Sequence, residues 1–578
     1  MTIHRQSQSF SPTDADTVTL PGGQIAHSEH VAQSERLQRR FTQVRPGVWC
    51  LVGNGLSNQT FIEAPEGIIA IDTGESVEEM RDALRELRNH TSTPVVAVLY
   101  THFHYVSGTQ AILDESPDRT IPVWGHERIG ANRDRAASEI APAYSRGLAE
   151  QFAFMLPAGG PDGVVNVGLG LFFRDPNHAP FTSGYVSATD TFNDTCTISV
   201  AGLDIEVTPA PSDADDSVTF WFPTLKVAVN NLVWPVLFNV FAIRGEEYRD
   251  PRVMLKGLDH LLSLNAEHLV GAHGPPISGG TEIATRVTRY RDSIQFLWDQ
   301  TVRGTNVGLT STELAAAIHL PALYTDDYLT TEFYGVVEHH VRQIRTGLFG
   351  WFDGDEGNLF PLPTGERASR MIKGFGGRDE VRTQARRALD DDDLRWALEL
   401  GSWLARATGS AGNVEATVED RQLLADTLRT IGQRTTSANI RSWCLGRARV
   451  LEGAVDAGRY RQHRFNKKQI LRTGPERTVH LLRVLLDPVR AEGVDLHLAW
   501  RFADGSVTGL HLRNCVACPT DGSTAEHTIS CDLAVWADMV TGTLTLSEAL
   551  ASGRIVISGD TSKVVEALAC FDVVGLRS

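Results

Sequence analysis

The stretch from Gly67 to Gly108 constrains the fold of this chain more than any other. Two apolar runs of strand length, Gly67-Ile-Ile-Ala-Ile71 and Pro94-Val-Val-Ala-Val-Leu-Tyr100, flank a segment in which Val77, Met80, Leu84 and Leu87 recur at three- and four-residue spacing. Ser76 followed by Glu79 has the form of a capping box. The pattern predicts a strand-helix-strand unit ending at Tyr100. Polar residues directly after a buried strand are held by a rigid scaffold, so chemistry is expected in the next segment, Thr101-His102-Phe103-His104-Tyr105-Val106-Ser107-Gly108. Two imidazoles one residue apart can converge on one metal ion where the chain turns. By themselves they read equally well as a pair of core or surface histidines.

At 578 residues the chain is long enough for about four domains. Its 42% hydrophobic and 22% charged residues exclude collagen-like, coiled-coil and wholly disordered chains. A balance of 54 Lys+Arg against 71 Asp+Glu, net −17, repels phosphate backbones and anionic membranes, so no nucleic-acid partner is expected, and an anionic substrate needs a local basic pocket. No run approaches the roughly 18 apolar residues of a membrane span, and Met1 to Gly23 lacks the apolar core of a secretory signal, which predicts a cytoplasmic protein. The 7 scattered cysteines make no disulfide framework, and Cys515 and Cys518 lack a second pair to complete a zinc site.

Residues 1–45 are polar and read as a solvated arm carrying Arg36, Arg39 and Arg40. Residues 46–281 alternate strands, such as Val218-Thr-Phe-Trp-Phe222, with helices. From 282 to 455 the periodicity is helical. Ile294, Leu297 and Trp298 share a face, Ala385, Ala388, Leu389, Trp396, Ala397, Leu404 and Leu428 suggest paired helices, and Gly354 to Gly365 forms an ordered connection. Residues 473–578 return to strands such as Val494–Trp500 with short helices, a small α+β domain.

Ile71-Asp72-Thr73-Gly74 ends the first strand with a carboxylate at the sheet edge where the histidines fall. The order strand, IDTG, helix, strand, THxH resembles the metallo-β-lactamase superfamily. Further segments resemble its long alkyl sulfatase branch over almost the whole chain: Gly160-Pro-Asp-Gly163 with Gly168-Leu-Gly170, Phe222-Pro223, Asn239 to Arg244-Gly245 with Arg249-Asp250, His273, Tyr334-Gly335 with His339, Gly350-Trp-Phe-Asp-Gly354, Pro361-Leu-Pro363, and Ile557-Ser-Gly-Asp560. The resemblance implies an αββα metallo-β-lactamase sandwich, an all-α dimerization domain, a C-terminal α+β sterol-carrier-protein-like domain, and a homodimer.

The departures from that family matter as much. Its metal motif is HxHxDH, and here the last two positions are Val106 and Ser107. Where members carry an acidic ligand this chain has Asn231, and an amide is a poorer partner for zinc. The resemblance therefore implies one divalent metal per chain, zinc first, with iron or manganese as alternatives. Its ligands would be His102, His104 and Asp213 of the loop Ser212-Asp-Ala-Asp-Asp-Ser217, with His273 as a fourth ligand or a hydrogen-bonding neighbour. By residue type alone the three aspartates of that loop are a solvated turn. Two histidines and one carboxylate leave open positions, as catalysis requires. Asp216 is the candidate base that orients water.

For substrate, the resemblance places Asn239 and Arg244 on a sulfate group, with Tyr334 nearby, and His339 at the leaving oxygen. Surface pairing for Arg244 and helix packing for His339 are the plainer readings. Phe220, Trp221, Trp234 and Phe238 would either meet an alkyl tail or form core. The expected activity is hydrolysis of a small anionic ester, a sulfate ester with an alkyl tail. The rival readings are an iron oxygenase using a 2-His-1-carboxylate set on the same fold, and a catalytically silent binding protein.

Overall fold

The computed structural model describes residues 9–136, 138–407 and 415–577. Residues 1–8 of the polar arm and 408–414 of the helical region lie outside them. The chain divides into two units, Met1–Arg133 with Ser145–Ala457, and Asp134–Tyr144 with Gly458–Ser578.

In the larger unit the predicted strands Gly67–Ile71 and Val95–Leu99 are parallel neighbours at the centre of a seven-stranded sheet. Its order is Arg40–Arg45, Val48–Val52, Gln59–Ala64, Gly67–Ile71, Val95–Leu99, Val123–His126, Asp190–Phe192. A second sheet of six strands runs Cys196–Val200, Leu203–Pro209, Val218–Phe222, Val227–Asn230, His268–Gly271, Ile277–Ser278.

The two-residue period of a strand decides what packs where. Ile69 and Ile71 point inward with Val48, Cys50 and Leu99 to meet Ile205, Val207, Phe220 and Val229 of the second sheet. Ile68 and Ala70 point outward onto Val77, Met80, Ala83, Leu84 and Leu87 of the helix Val77–Arg88. On the outer side of the second sheet, Trp221 and Ala228 share a core with Leu258 and Leu261 of the helix Pro251–Ser263 and with Val287, Tyr290 and Ile294 of Gly280–Asn306. The result is helix, sheet, sheet, helix. Phe220, Trp221, Trp234 and Phe238 are all buried in these cores.

Three local readings change. Half of the capping box forms: Ser76 Oγ accepts from the Glu79 amide at 3.1 Å. The Glu79 carboxylate instead accepts from the Glu75 amide and from Gln59, because the side chain is buried in a site where the Ser76 amide is not its nearest donor. Burial pushes that carboxyl up to about 8. The segment read as a solvated arm is structured from Asp14 onward. It forms a hairpin, Thr17–Thr19 with Ile25–His27, a helix Ser28–Arg36, and the sheet-edge strand Arg40–Arg45. Arg39 pairs with Asp82 and Glu86. The helix Gly280–Asn306, counted with the helical region, packs its buried face into the sandwich core and also meets Val337, Val341 and Ile344 of the helix Val337–Phe349.

Beyond it, Arg378–Asp390, Leu394–Arg406, Val418–Arg434 and Ala438–Leu451 pack consecutively around Leu400, Leu404, Leu424, Leu428 and Ala448. The connection near Gly354 exposes Phe360, at 88% of its surface, beside exposed Leu359, Trp351 and Phe349.

The smaller unit holds a five-stranded sheet ordered Val516–Thr520, Val507–Arg513, Leu496–Phe502, His527–Cys531, Ile555–Ser558, with Leu498, Trp500, Trp536 and Phe571 in its core. Cys515 lies in the turn and Cys518 in the strand of one hairpin, both as free thiols. Among the described residues no helix is long and apolar enough to cross a membrane.

Phe220 sits between the two sheets with no exposed surface. Phe220→Ala is expected to cost about 3–5 kcal/mol and to lower the melting temperature of this unit, read by calorimetry.

Candidate active site

The strand Val95–Leu99 delivers Thr101 and His102 to the sheet edge, and one turn of 3-10 helix, Phe103–Tyr105, folds His104 back beside His102. The two rings stand 5.0 Å apart and nearly perpendicular. Gly108 closes the turn against the preceding loop, where a Cβ would come within 2.0 Å of the Thr73 carbonyl oxygen. Asp72, at φ 57°, turns its carboxylate under this segment. It accepts from the Thr101 amide at 2.9 Å and from the Thr101 hydroxyl at 2.7 Å. That hydroxyl lies 2.8 Å from His102 Nδ1. With its proton given to Asp72, the hydroxyl accepts from Nδ1, which leaves a lone pair on Nε2. His102 Nε2 is buried with no hydrogen-bond partner, and burial pushes the imidazole down to about 3, so it is neutral and ready to ligate.

Asp213 supplies the third donor. Its Oδ2 lies 3.2 Å from His104 Nδ1, and one donor atom from each of His102, His104 and Asp213 lies within 4.8 Å of the others. Burial alone would raise the Asp213 carboxyl, but His104, His102 and Arg249 outweigh it and hold the group well below the usual range. Asn231 donates to Asp213 Oδ1 at 2.7 Å and also to Ser212 and Ser217, while its own oxygen accepts from Trp234 Nε1. Asp216, three residues on, is fully buried. Neither of its oxygens completes a hydrogen bond, and burial pushes the carboxyl up to about 7.

These residues fit one divalent ion. At the remaining motif positions, Val106 is in the core packed beneath the helix, the Ser107 amide donates to the Gly74 carbonyl oxygen, and the Asn231 oxygen accepts from Trp234 Nε1. His273 stands outside the three-donor group. Its Nδ1 donates to the Leu56 carbonyl oxygen at 2.9 Å, and its Nε2 lies 3.3 Å from the Tyr105 hydroxyl.

From His273 a wall of contacts leads to the basic residues. The Trp234 ring lies 5.4 Å from His273 and 6.0 Å from Tyr334. The Tyr334 hydroxyl accepts from Gln151 Nε2 at 2.8 Å, and Gln151 Oε1 accepts from the Arg244 amide at 3.3 Å. Arg244 forms a buried ion pair with Glu246. Arg249 lies over Trp234 and Phe238 and donates to the Asn239 carbonyl oxygen at 2.6 Å.

The Asn239 side chain is sealed against Gly335 and His340, its amide atoms unpartnered. His339 turns the other way. Its ring meets Phe241 edge-on at 5.5 Å and lines a cavity of about 560 Å³ with Phe10, Ile243, Leu428, Trp443 and Arg342. Sequence reasoning missed Tyr105, Gln151, Glu246 and Arg249 as members of the site. Only Arg249 had a signal, its place in a matched segment.

Residues 310–454 match the family model "Alkyl sulfatase dimerisation" and residues 466–575 match "Alkyl sulfatase C-terminal". The chain is 32% identical to a linear primary-alkylsulfatase of Pseudomonas sp. (strain ATCC 19151), over 88% of this chain and 98% of that protein. It is 28% identical to an (R)-specific secondary-alkylsulfatase of Pseudomonas sp., over 94% of this chain and 82% of the other. The solved structure of the stereoselective inverting sec-alkylsulfatase Pisa1 from Pseudomonas sp. superposes with a TM-score of 0.82 at 25% identity, covering 98% of this chain and 89% of that one. The sandwich and its edge donors therefore define a metallo-β-lactamase-type hydrolase fold. The chain belongs to the alkylsulfatase family of that superfamily.

The raised Asp216 carboxyl has a stability signature. Its folded-state value of about 7 lies above the ordinary 3.8, so the native protein binds more protons than the unfolded chain between those values. Its contribution is present below the lower value and lost as pH rises through the upper one. In chelator-treated protein, Asp216→Asn is expected to raise the melting temperature at pH 8 by roughly 2–5 °C and to change it little at pH 4. Differential scanning fluorimetry at both pH values reads this, and an equal effect at both would be at odds with it.

Proposed function

We propose that this chain hydrolyses a sulfate ester carrying an alkyl tail, using one divalent metal ion per chain held by His102, His104 and Asp213. The observation that carries the reading is His102 Nε2, buried and without a partner beside two further donors. A divalent ion in that group supplies Lewis-acid activation of a water. Zinc suits two imidazoles and a carboxylate, and iron or manganese are the alternatives. The names of the relatives support hydrolysis over the oxygenase and silent-binder readings.

Within this reading the chain's own groups divide the work. Asp216, the buried carboxylate of the same loop, accepts a proton from the attacking water. Arg244 holds the anionic head, with Tyr334 and Gln151 fixing the wall beside it and Arg249 adding positive charge behind Asn239. His339 lines an apolar cavity of about 560 Å³ that includes none of His102, His104, Asp213 and Arg244, and its role at the leaving oxygen rests on the resemblance alone. The seven free cysteines support a reducing compartment, the cytoplasm.

Two measurements test this. Elemental analysis of protein purified without chelator is expected to give about one metal per chain, with His102→Ala losing both the metal and sulfate release from an alkyl sulfate. Two tightly bound ions, or sulfate release untouched in the variant, would sink the single-site reading.

The exposed Phe349, Trp351, Leu359 and Phe360 lie within the segment matching the dimerisation model, which supports a homodimer that covers them. Light scattering at micromolar concentration is expected to give about twice the 63.3 kDa chain mass, and Phe360→Asp with Trp351→Asp to shift it toward the monomer.

A further inference from the structure

The residue that holds Arg244 carries a charge of the same sign as the head group assigned to it. Arg244 and Glu246 form an ion pair with side chains only 7% and 11% exposed. Gly245 between them adopts φ +84°, a turn that brings side chains two residues apart toward each other. The Arg244 backbone is fixed: its amide donates to Gln151, and Gly147 packs so closely that a Cβ would lie 2.1 Å from the Arg244 carbonyl oxygen.

A guanidinium pairs with a carboxylate or with a sulfate group through the same donors, so the two compete for those donors. We propose that Glu246 is a built-in counter-ion occupying the substrate's place on Arg244, which the anionic head must displace. The proposal rests on the reading of Arg244 as the residue that holds that head. A sulfate ester that displaces the carboxylate adds one negative charge beside it. A doubly charged phosphate monoester adds a second negative charge beside the displaced carboxylate, in a buried pocket where screening is weak. Glu246 thus both weakens anion binding and selects singly charged heads.

The test uses the metal-loaded full chain. Binding of inorganic sulfate is measured by calorimetry, and octyl sulfate turnover and inhibition by octyl phosphate by kinetics, for wild type, Glu246→Gln, Glu246→Asp and Arg244→Ala. Glu246→Gln is expected to lower KM for octyl sulfate about tenfold with kcat within about threefold, and to tighten binding of inorganic sulfate, a dianion, by more than that. Octyl phosphate should gain more than octyl sulfate does. Glu246→Asp, which keeps the charge on a shorter arm, should fall between and guards against a folding defect in the amide variant. Unchanged or weaker sulfate binding in Glu246→Gln, with Arg244→Ala still weakening it, overturns the counter-ion role and leaves the head-group reading standing. Full sulfate affinity in Arg244→Ala overturns both.

Discussion

The hydrogen-bonded chain from Asp72 through Thr101 to His102 is the interaction on which the site depends. It ties the ends of two adjacent parallel strands, since Asp72 follows Ile71 and Thr101 follows Leu99 and Tyr100. The same contact fixes the tautomer of His102 and aims its free nitrogen away from the sheet. A buried carboxylate set in this way raises ligand basicity and orientation together, as partners behind metal-bound imidazoles do in general. The arrangement is costly in isolation: Asp72 sits at positive φ, and burial pushes its carboxyl up to about 7. It persists because Ile69, Ile71, Ala97 and Leu99 on either side are locked into the core between the sheets.

Val106 and Asn231 are uncharged, so Asp213 is the one carboxylate in the three-donor group. The remaining groups make neutral contacts. Tyr105 faces His273, and Asn231 joins Asp213, Ser212, Ser217 and Trp234 in one network. Asp213 stays ionised because its neighbours outweigh the effect of burial. At Asp216 burial outweighs Asn132, His104 and the Phe103 backbone, and its carboxyl moves up to about 7. Two carboxylates in one loop thus acquire different proton affinities from environment alone.

Much of this was legible in the sequence because it rests on short-range periodicity. The strands around residues 67–71 and 95–99, the helix between them and the paired helices after 378 arise from apolar spacing. His102, His104 and Asp213 were reached through motif spacing and resemblance together, and the structure brings them together. What escaped is set by distant contacts. The strand Arg40–Arg45 is polar because it lies at a sheet edge, so it carried no apolar signal. Glu79 looked like a capping residue until Gln59, twenty positions earlier, competed for it. The contact of His273 with Tyr105, 168 positions away, is likewise invisible to local spacing. His339 and His340 are adjacent in sequence, and only packing decides that one lines the cavity while the other faces Asn239.

The whole-molecule charge sharpens the role of the basic wall. At net −17 the chain repels anions at long range, and screening confines that repulsion to roughly a Debye length, about 8 Å at physiological salt. An anion that reaches the pocket therefore meets a local field, set by Arg244 and Arg249 against Asp213 and Glu246. Burying two guanidiniums without counter-charge would be strongly unfavourable, and each carboxylate relieves part of that cost. The same pairing that lets the pocket fold reduces its attraction for substrate. Affinity for an anion in such a site is consequently a difference between two acceptors competing for the same donors, and a single side chain such as Glu246 can set it.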